Sequence, residues 1–113
     1  MKDSKKVRLL LLMNELSPNP QLRLRDLSKR ISLSERQTRN LLKDLTGLGF
    51  RAYLRHLRLQ NALDLLLKDC SVKYIASVVG YRDTSALDRD FSRTFGDSPT
   101  AYRRDRIRFE NRG

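Results

Sequence analysis

Cysteine and histidine occur once each, at Cys70 and His56. One thiol cannot close an internal disulfide, and single copies cannot assemble a cysteine-cluster or His-based metal site. Long apolar runs are missing as well. The longest is Leu9 to Met13, far short of the ~20 residues that span a membrane. The basic amino end is not followed by an apolar stretch and a small-residue cleavage site, so it does not read as a secretory signal. There is no glycine-rich phosphate loop and no Ser/His/Asp set, and Asp64 and the other acids lack calcium-loop spacing. The expectation is therefore a cytoplasmic non-enzyme with no cofactor and no metal. Alternating runs of strand type are absent and helical spacing is general, which makes the expected fold class all-α.

What the chain does have is positive charge. Its 113 residues hold 24 Lys plus Arg against 13 Asp plus Glu, a formal net charge of +11 and a pI near 10.5. The length suits one domain, or two very small ones. The charge points to an anionic partner: nucleic acid, an anionic membrane surface or an acidic protein. A basic but merely solvated surface is the plainer alternative. Arg outnumbers Lys, and its planar fork pairs bidentately with phosphate or with guanine edges. The excess does not form a tail. Residues 1–49 hold 11 basic and 5 acidic side chains, residues 50–71 hold 4 and 2, and residues 72–113 hold 9 and 6. These charges alternate with apolar residues, so the basic surface belongs to folded elements.

Helical periodicity and its punctuation divide the chain. A Leu-rich helix runs from Lys5 to about Leu16, and Ser17-Pro18-Asn19-Pro20 ends it. Leu24, Leu27 and Ile31 mark a short amphipathic helix. Ser34 with Gln37 three residues later fits a capping box, opening a helix that Gly47 and Gly49 stop. That helix has Thr38, Leu41, Leu42 and Leu45 on one side and Arg36, Arg39, Asn40 and Lys43 on the other. A long helix follows from Phe50 to Lys68, roughly 28 Å at 1.5 Å per residue. Ser71 caps a short helix with Val72, Ile75, Ala76 and Val79 inward. Asp83 or Thr84 caps a helix with Leu87, Phe91 and Phe95 at i, i+4 and i+8, ended by Gly96. Ser98-Pro99 starts a final helix through Tyr102, and the polar stretch from Arg103 reads as a fraying end. The expected core includes Leu27, Ile31, Leu42, Leu54, Ile75, Val79, Leu87, Phe91 and Tyr102.

Two stretches share one layout: short helix, tight turn, longer helix. This is the helix-turn-helix pattern. An offset of 49 places Ser34 on Asp83, Leu42 on Phe91, Gly47 on Gly96 and Tyr53 on Tyr102. The chain thus divides into a first helix-turn-helix subdomain (1–49), a linker helix (50–68), a second helix-turn-helix subdomain (69–104) and a polar tail (105–113). In such a unit the second helix enters the DNA major groove. The linker length is close to the ~34 Å between successive major-groove faces on one side of B-DNA.

Ile75-Ala76-x-x-Val79-Gly80-Tyr81-x-Asp83-x-Ser85, Phe91-Ser92-Arg93 and Phe95-Gly96-x-Ser98-Pro99-x-x-Tyr102-Arg103 resemble the signature of the AraC/XylS family of bacterial transcription regulators. The resemblance covers roughly residues 5–104. The chain departs from the family's usual residues at Ser28, Ser32, Thr38 and Asn40, all in the first unit. The resemblance implies seven helices, two helix-turn-helix units and a rigid connecting helix. It also implies activation or repression at bacterial promoters, often through contact with RNA polymerase. Many members place an effector-binding, dimerising domain ahead of this module; without one, the expectation is a monomer acting in the cytoplasm on the nucleoid.

Carried over by position, the resemblance puts Arg36, Arg39 and Asn40 of the first recognition helix, and Thr84, Ser85, Ala86 and Arg89 of the second, against bases. Arg suits guanine O6/N7 and Asn suits adenine N6/N7. Lys43 and Arg93 are expected at phosphates, with the capped helix starts at Ser34 and Ser98. Asp88 and Asp90 would repel phosphate, so the second unit is expected to read fewer bases. The reading is a sequence-specific double-stranded DNA-binding regulator. The alternatives are a non-specific nucleic-acid binder and a protein-interaction or anti-regulator module.

Overall fold

The computed structural model describes residues 2–112, with side chains described for residues 4–106. The elements are seven helices: α1 (Lys2–Leu16), α2 (Leu24–Ile31), α3 (Glu35–Thr46), α4 (Phe50–Leu66), α5 (Val72–Val79), α6 (Thr84–Phe95) and α7 (Pro99–Arg112). No strand occurs among the described residues. The chain forms two compact units, Met1–Leu57 and Arg58–Gly113, and the division falls inside α4.

In the first unit Leu9, Leu12 and Met13 of α1 pack with Leu22, Leu27, Ile31, Leu42 and Leu54. Capping decides where its helices begin. Ser34 Oγ accepts from the Gln37 N–H at 3.0 Å, while Gln37 Oε1 accepts from the Ser34 N–H at 3.0 Å, a complete capping box. The start of α2 uses a partner the sequence reading missed. Arg23 is a poor cap residue, but its N–H donates to Asp26 Oδ2 at 2.8 Å.

Three polar residues of this unit, Ser17, Ser28 and Thr38, are buried, each with its hydroxyl bonded to a backbone carbonyl. Thr38 is fully buried and its hydroxyl donates to Ser34 O at 2.8 Å. Ser28 is buried and its hydroxyl donates to Arg25 O at 2.9 Å. Ser32 closes α2 in the left-handed region, at φ 56 and ψ 44, and the following Leu33 N–H returns to Ser28 O. A Cβ in that region carries a steric cost that glycine avoids. Ser32→Gly is therefore expected to raise stability by about 0.5–1 kcal/mol, read as a rise in the midpoint of urea unfolding with an unchanged m-value.

The second unit is built from Leu59, Ala62 and Leu66 of α4, Ile75, Ala76 and Val79 of α5, Tyr81, and Leu87 and Phe91 of α6. Phe95 and Tyr102 are half-buried against this core. Phe91 meets Phe95 at a tilt, with ring centroids 4.6 Å apart, and meets the edge of Tyr102 at 5.7 Å. Ser71 and Asp83 cap α5 and α6, each accepting an N–H three residues on. Gly80 ends α5 at φ 111, and Tyr81 N–H returns to Ala76 O, the same closure as at Ser32 and Leu33.

Arg103 holds α7 to the end of α4. Its Nε donates to Leu66 O at 2.9 Å, and a second guanidinium N–H donates to Cys70 O. One carbonyl in the last turn of α4, at Leu66, and one beyond it, at Cys70, thereby receive donors. Arg103→Lys keeps the charge but not the fork, and is expected to cost about 1 kcal/mol, measured by denaturant titration.

Several boundaries differ from expectation. The helix α1 begins at Lys2 instead of Lys5. The linker helix stops at Leu66 instead of Lys68, because Asp69 takes a left-handed conformation at φ 64. The last helix continues to Arg112 instead of ending near Tyr102; Gly113 lies outside the described residues. Arg is a good helix former whether or not an apolar stripe accompanies it, so the polar sequence continues the helix instead of fraying. The two pairs also superpose with a step. Helices α2 and α5 correspond at an offset of 48, α3 and α6 at 49, because the second turn holds four residues and the first three.

Candidate nucleic-acid interface

Each longer helix has a buried side and an exposed side, fixed by the 3.6-residue period. In α3, Thr38 and Leu42 are buried, with Leu41 and Leu45 beside them. Arg36, Arg39, Asn40 and Lys43 are all exposed. Among the described residues none of these four takes part in a hydrogen bond, ion pair or ring contact. Three cationic heads and one amide therefore stand on a helix held rigid at both ends by Ser34 and Gly47. Gln37 is exposed too, but its amide is committed to the capping box.

In α6, Leu87 and Phe91 are buried. Ser85, Arg89 and Arg93 are exposed, and Thr84 is half-buried. Ala86 is half-buried against the second core, and its N–H is taken by Asp83 Oδ1 at 2.8 Å. It is the least available of the seven residues expected at bases. The expected phosphate groups divide in the same way. Lys43 and Arg93 are exposed. The Ser34 and Ser98 hydroxyls both accept N–H groups of their own helices, from Gln37 and Ala101, so capping occupies them first.

The two aspartates of α6 differ in surroundings. Asp90 Oδ2 accepts the Tyr81 hydroxyl at 3.1 Å, and the Arg58 guanidinium lies over the Tyr81 ring, 5.9 Å from its centroid. Burial lowers the Arg58 pKa from its ordinary value, opposed by the Tyr81 hydroxyl and the Asp90 carboxylate. Asp88 is half-buried with no such partners. The expectation that both carboxylates weaken the second unit therefore changes for Asp90, whose charge has a cation beside it. Sequence reading could not find this trio, because its members come from α4, the turn after α5, and α6.

Cys70 is half-buried against the second core, and His56 is exposed and stacks on Tyr53 at 6.0 Å. Among the described residues no three His, Cys, Asp or Glu are grouped to hold a metal ion. Among the described residues, no helix is long and apolar enough to cross a membrane.

Comparison with known proteins adds the following. A family profile described as a helix-turn-helix domain matches residues 27–105. The transcriptional activator RhaR of Pectobacterium carotovorum is 39% identical over 71 residues, which are 62% of this chain and 25% of that protein. The regulatory protein PocR of Salmonella typhimurium is 35% identical over 83 residues, 73% of this chain and 27% of that protein. The chain thus spans about a quarter of the length of these relatives. Among solved structures, the DNA-binding domain of the global transcriptional factor AdpA, in complex with a target DNA, superposes with a TM-score of 0.86 at 28% identity. That match covers 96% of this chain and 97% of the other. The carboxy-terminal domain of the response regulator yesN from Fusobacterium nucleatum gives 0.80 at 27% identity, covering 87% and 96%.

Proposed function

The chain belongs to the AraC-type helix-turn-helix family of transcription regulators, and from that membership we propose that it is a sequence-specific double-stranded DNA-binding regulator. Recognition helices α3 and α6 enter successive major grooves of a bacterial promoter. The observation that carries this reading is the pair of like-built helical units, each with unpartnered arginines on the exposed side of its second helix. In α3, Arg36, Arg39 and Asn40 face base edges; in α6, Thr84, Ser85, Ala86 and Arg89 do so. Lys43 and Arg93, with the helix starts at Ser34 and Ser98, meet the phosphate backbone.

The proposal extends to the rest of the expected role. The domain acts in the cytoplasm on the nucleoid and binds as a monomer unless a further domain dimerises it. Its regulatory output passes through contact with RNA polymerase, as an activator. The activator name carried by the RhaR relative supports this reading. No catalytic residue and no cofactor is assigned.

Selection from random duplexes followed by sequencing tests the proposal. The expected result is an asymmetric motif with two boxes about one helical turn apart. A specific-to-random affinity ratio near one overturns sequence specificity in favour of general nucleic-acid binding. Retained polymerase binding without a DNA footprint would favour the protein-interaction reading.

A further inference from the structure

The exposed stripe of α6, with Ser85, Arg89 and Arg93, is flanked by Asp88 on one side and Asp90 on the other. A carboxylate within a Debye length of phosphate, about 8 Å at physiological salt, opposes binding. Asp88 has no partner among the described residues. Asp90 has two neighbours built around it: the Tyr81 hydroxyl at 3.1 Å, and the Arg58 guanidinium held over the same tyrosine ring. Both neighbours are at least half-buried, where the attraction between opposite charges is screened less than in bulk water.

We propose that Arg58 and Tyr81 mask the Asp90 carboxylate, so that α6 approaches DNA with one effective negative flank, at Asp88, instead of two. Arg58 is then a positioning residue. It acts on binding through Asp90 and touches no DNA itself. The inference rests on the DNA-binding reading above and goes beyond it, because it assigns a binding role to a half-buried residue outside both recognition helices.

The test is a charge cycle on the full chain, with binding to a duplex of random sequence measured across a salt titration. Arg58→Met keeps the stem and removes the charge. It is expected to weaken binding about tenfold at low salt, with the loss shrinking as salt rises. Asp90→Asn alone should stay within about twofold of the unmodified chain, and Arg58→Met with Asp90→Asn should return to within about twofold. Asp88→Asn, the unmasked control, should tighten binding alone and by the same factor in the Arg58→Met background. An undiminished Arg58→Met loss in the Asp90→Asn background overturns the proposal, since Arg58 would then act on DNA directly. Tightening by Asp90→Asn alone, equal to that of Asp88→Asn, also overturns it. If Arg58→Met fails to fold by circular dichroism, Tyr81→Phe carries the same cycle. It should give a smaller salt-dependent loss that Asp90→Asn restores, and no loss overturns the mask. A chain that binds no duplex at all overturns the DNA-binding reading itself, whereas a binding chain with a flat cycle overturns the mask alone.

Discussion

Phe91→Ala is expected to cost about 3–5 kcal/mol of folding stability, the largest loss anticipated from any single truncation in this chain. Phe91 is fully buried and heads the largest side chains in that state. Its ring meets Phe95 tilted and Tyr102 edge-on, so truncation forfeits aromatic contacts as well as transfer energy. Urea unfolding followed by circular dichroism measures the loss. A cost under about 1 kcal/mol would mean that the site refills and that the second core is less rigid than its packing indicates. Phe91→Leu, which keeps most of the volume, should cost much less.

Arg39→Ala is expected to lose about 1–3 kcal/mol of binding to the selected site and to relax the sequence preference at one position. Arg93→Ala should instead weaken binding to every duplex by a similar factor and flatten the salt slope by about one unit. Both side chains are exposed and unpartnered in the free protein, so neither change removes a folded-state contact. The contrast therefore reports on DNA alone. Competition binding of cognate and random duplexes across a salt series reads both quantities. Equal losses on the two duplexes for both variants would contradict the division into a base-reading and a phosphate-binding arginine.

The parts of this fold that were legible in the sequence are those whose chemistry is local. Ser34 with Gln37, Ser71, Asp83 and Pro99 mark helix starts, and Gly47, Gly80 and Gly96 mark ends, because a cap needs only residues within one turn. The exposed stripe of α3 followed from the helical period alone. Eight of the nine expected core residues are buried, and Tyr102 is half-buried. What escaped reading depends on distance or context. Arg103 reaches carbonyls 37 and 33 residues away, and no spacing rule encodes that reach. Arg58, Tyr81 and Asp90 meet only after α4, α5 and α6 have packed. Ser32 looks like an ordinary polar turn residue until its φ is known. Ala86 keeps its proposed place among the base-facing residues by position, but only the structure shows that its N–H is taken by the Asp83 cap and that its side chain packs on the second core.

The capping box at the start of α3 has a consequence for anyone rewriting what this domain reads. Ser34 and Gln37 lie interleaved with Arg36 and Arg39, and their mutual hydrogen bonds begin the helix. A library that varies the whole stretch would confound lost helix capping with changed preference. Positions 36, 39 and 40, proposed to face bases, are the writable letters; positions 34 and 37 are the margin of the page. A library confined to the writable positions should return altered preferences from variants that remain folded.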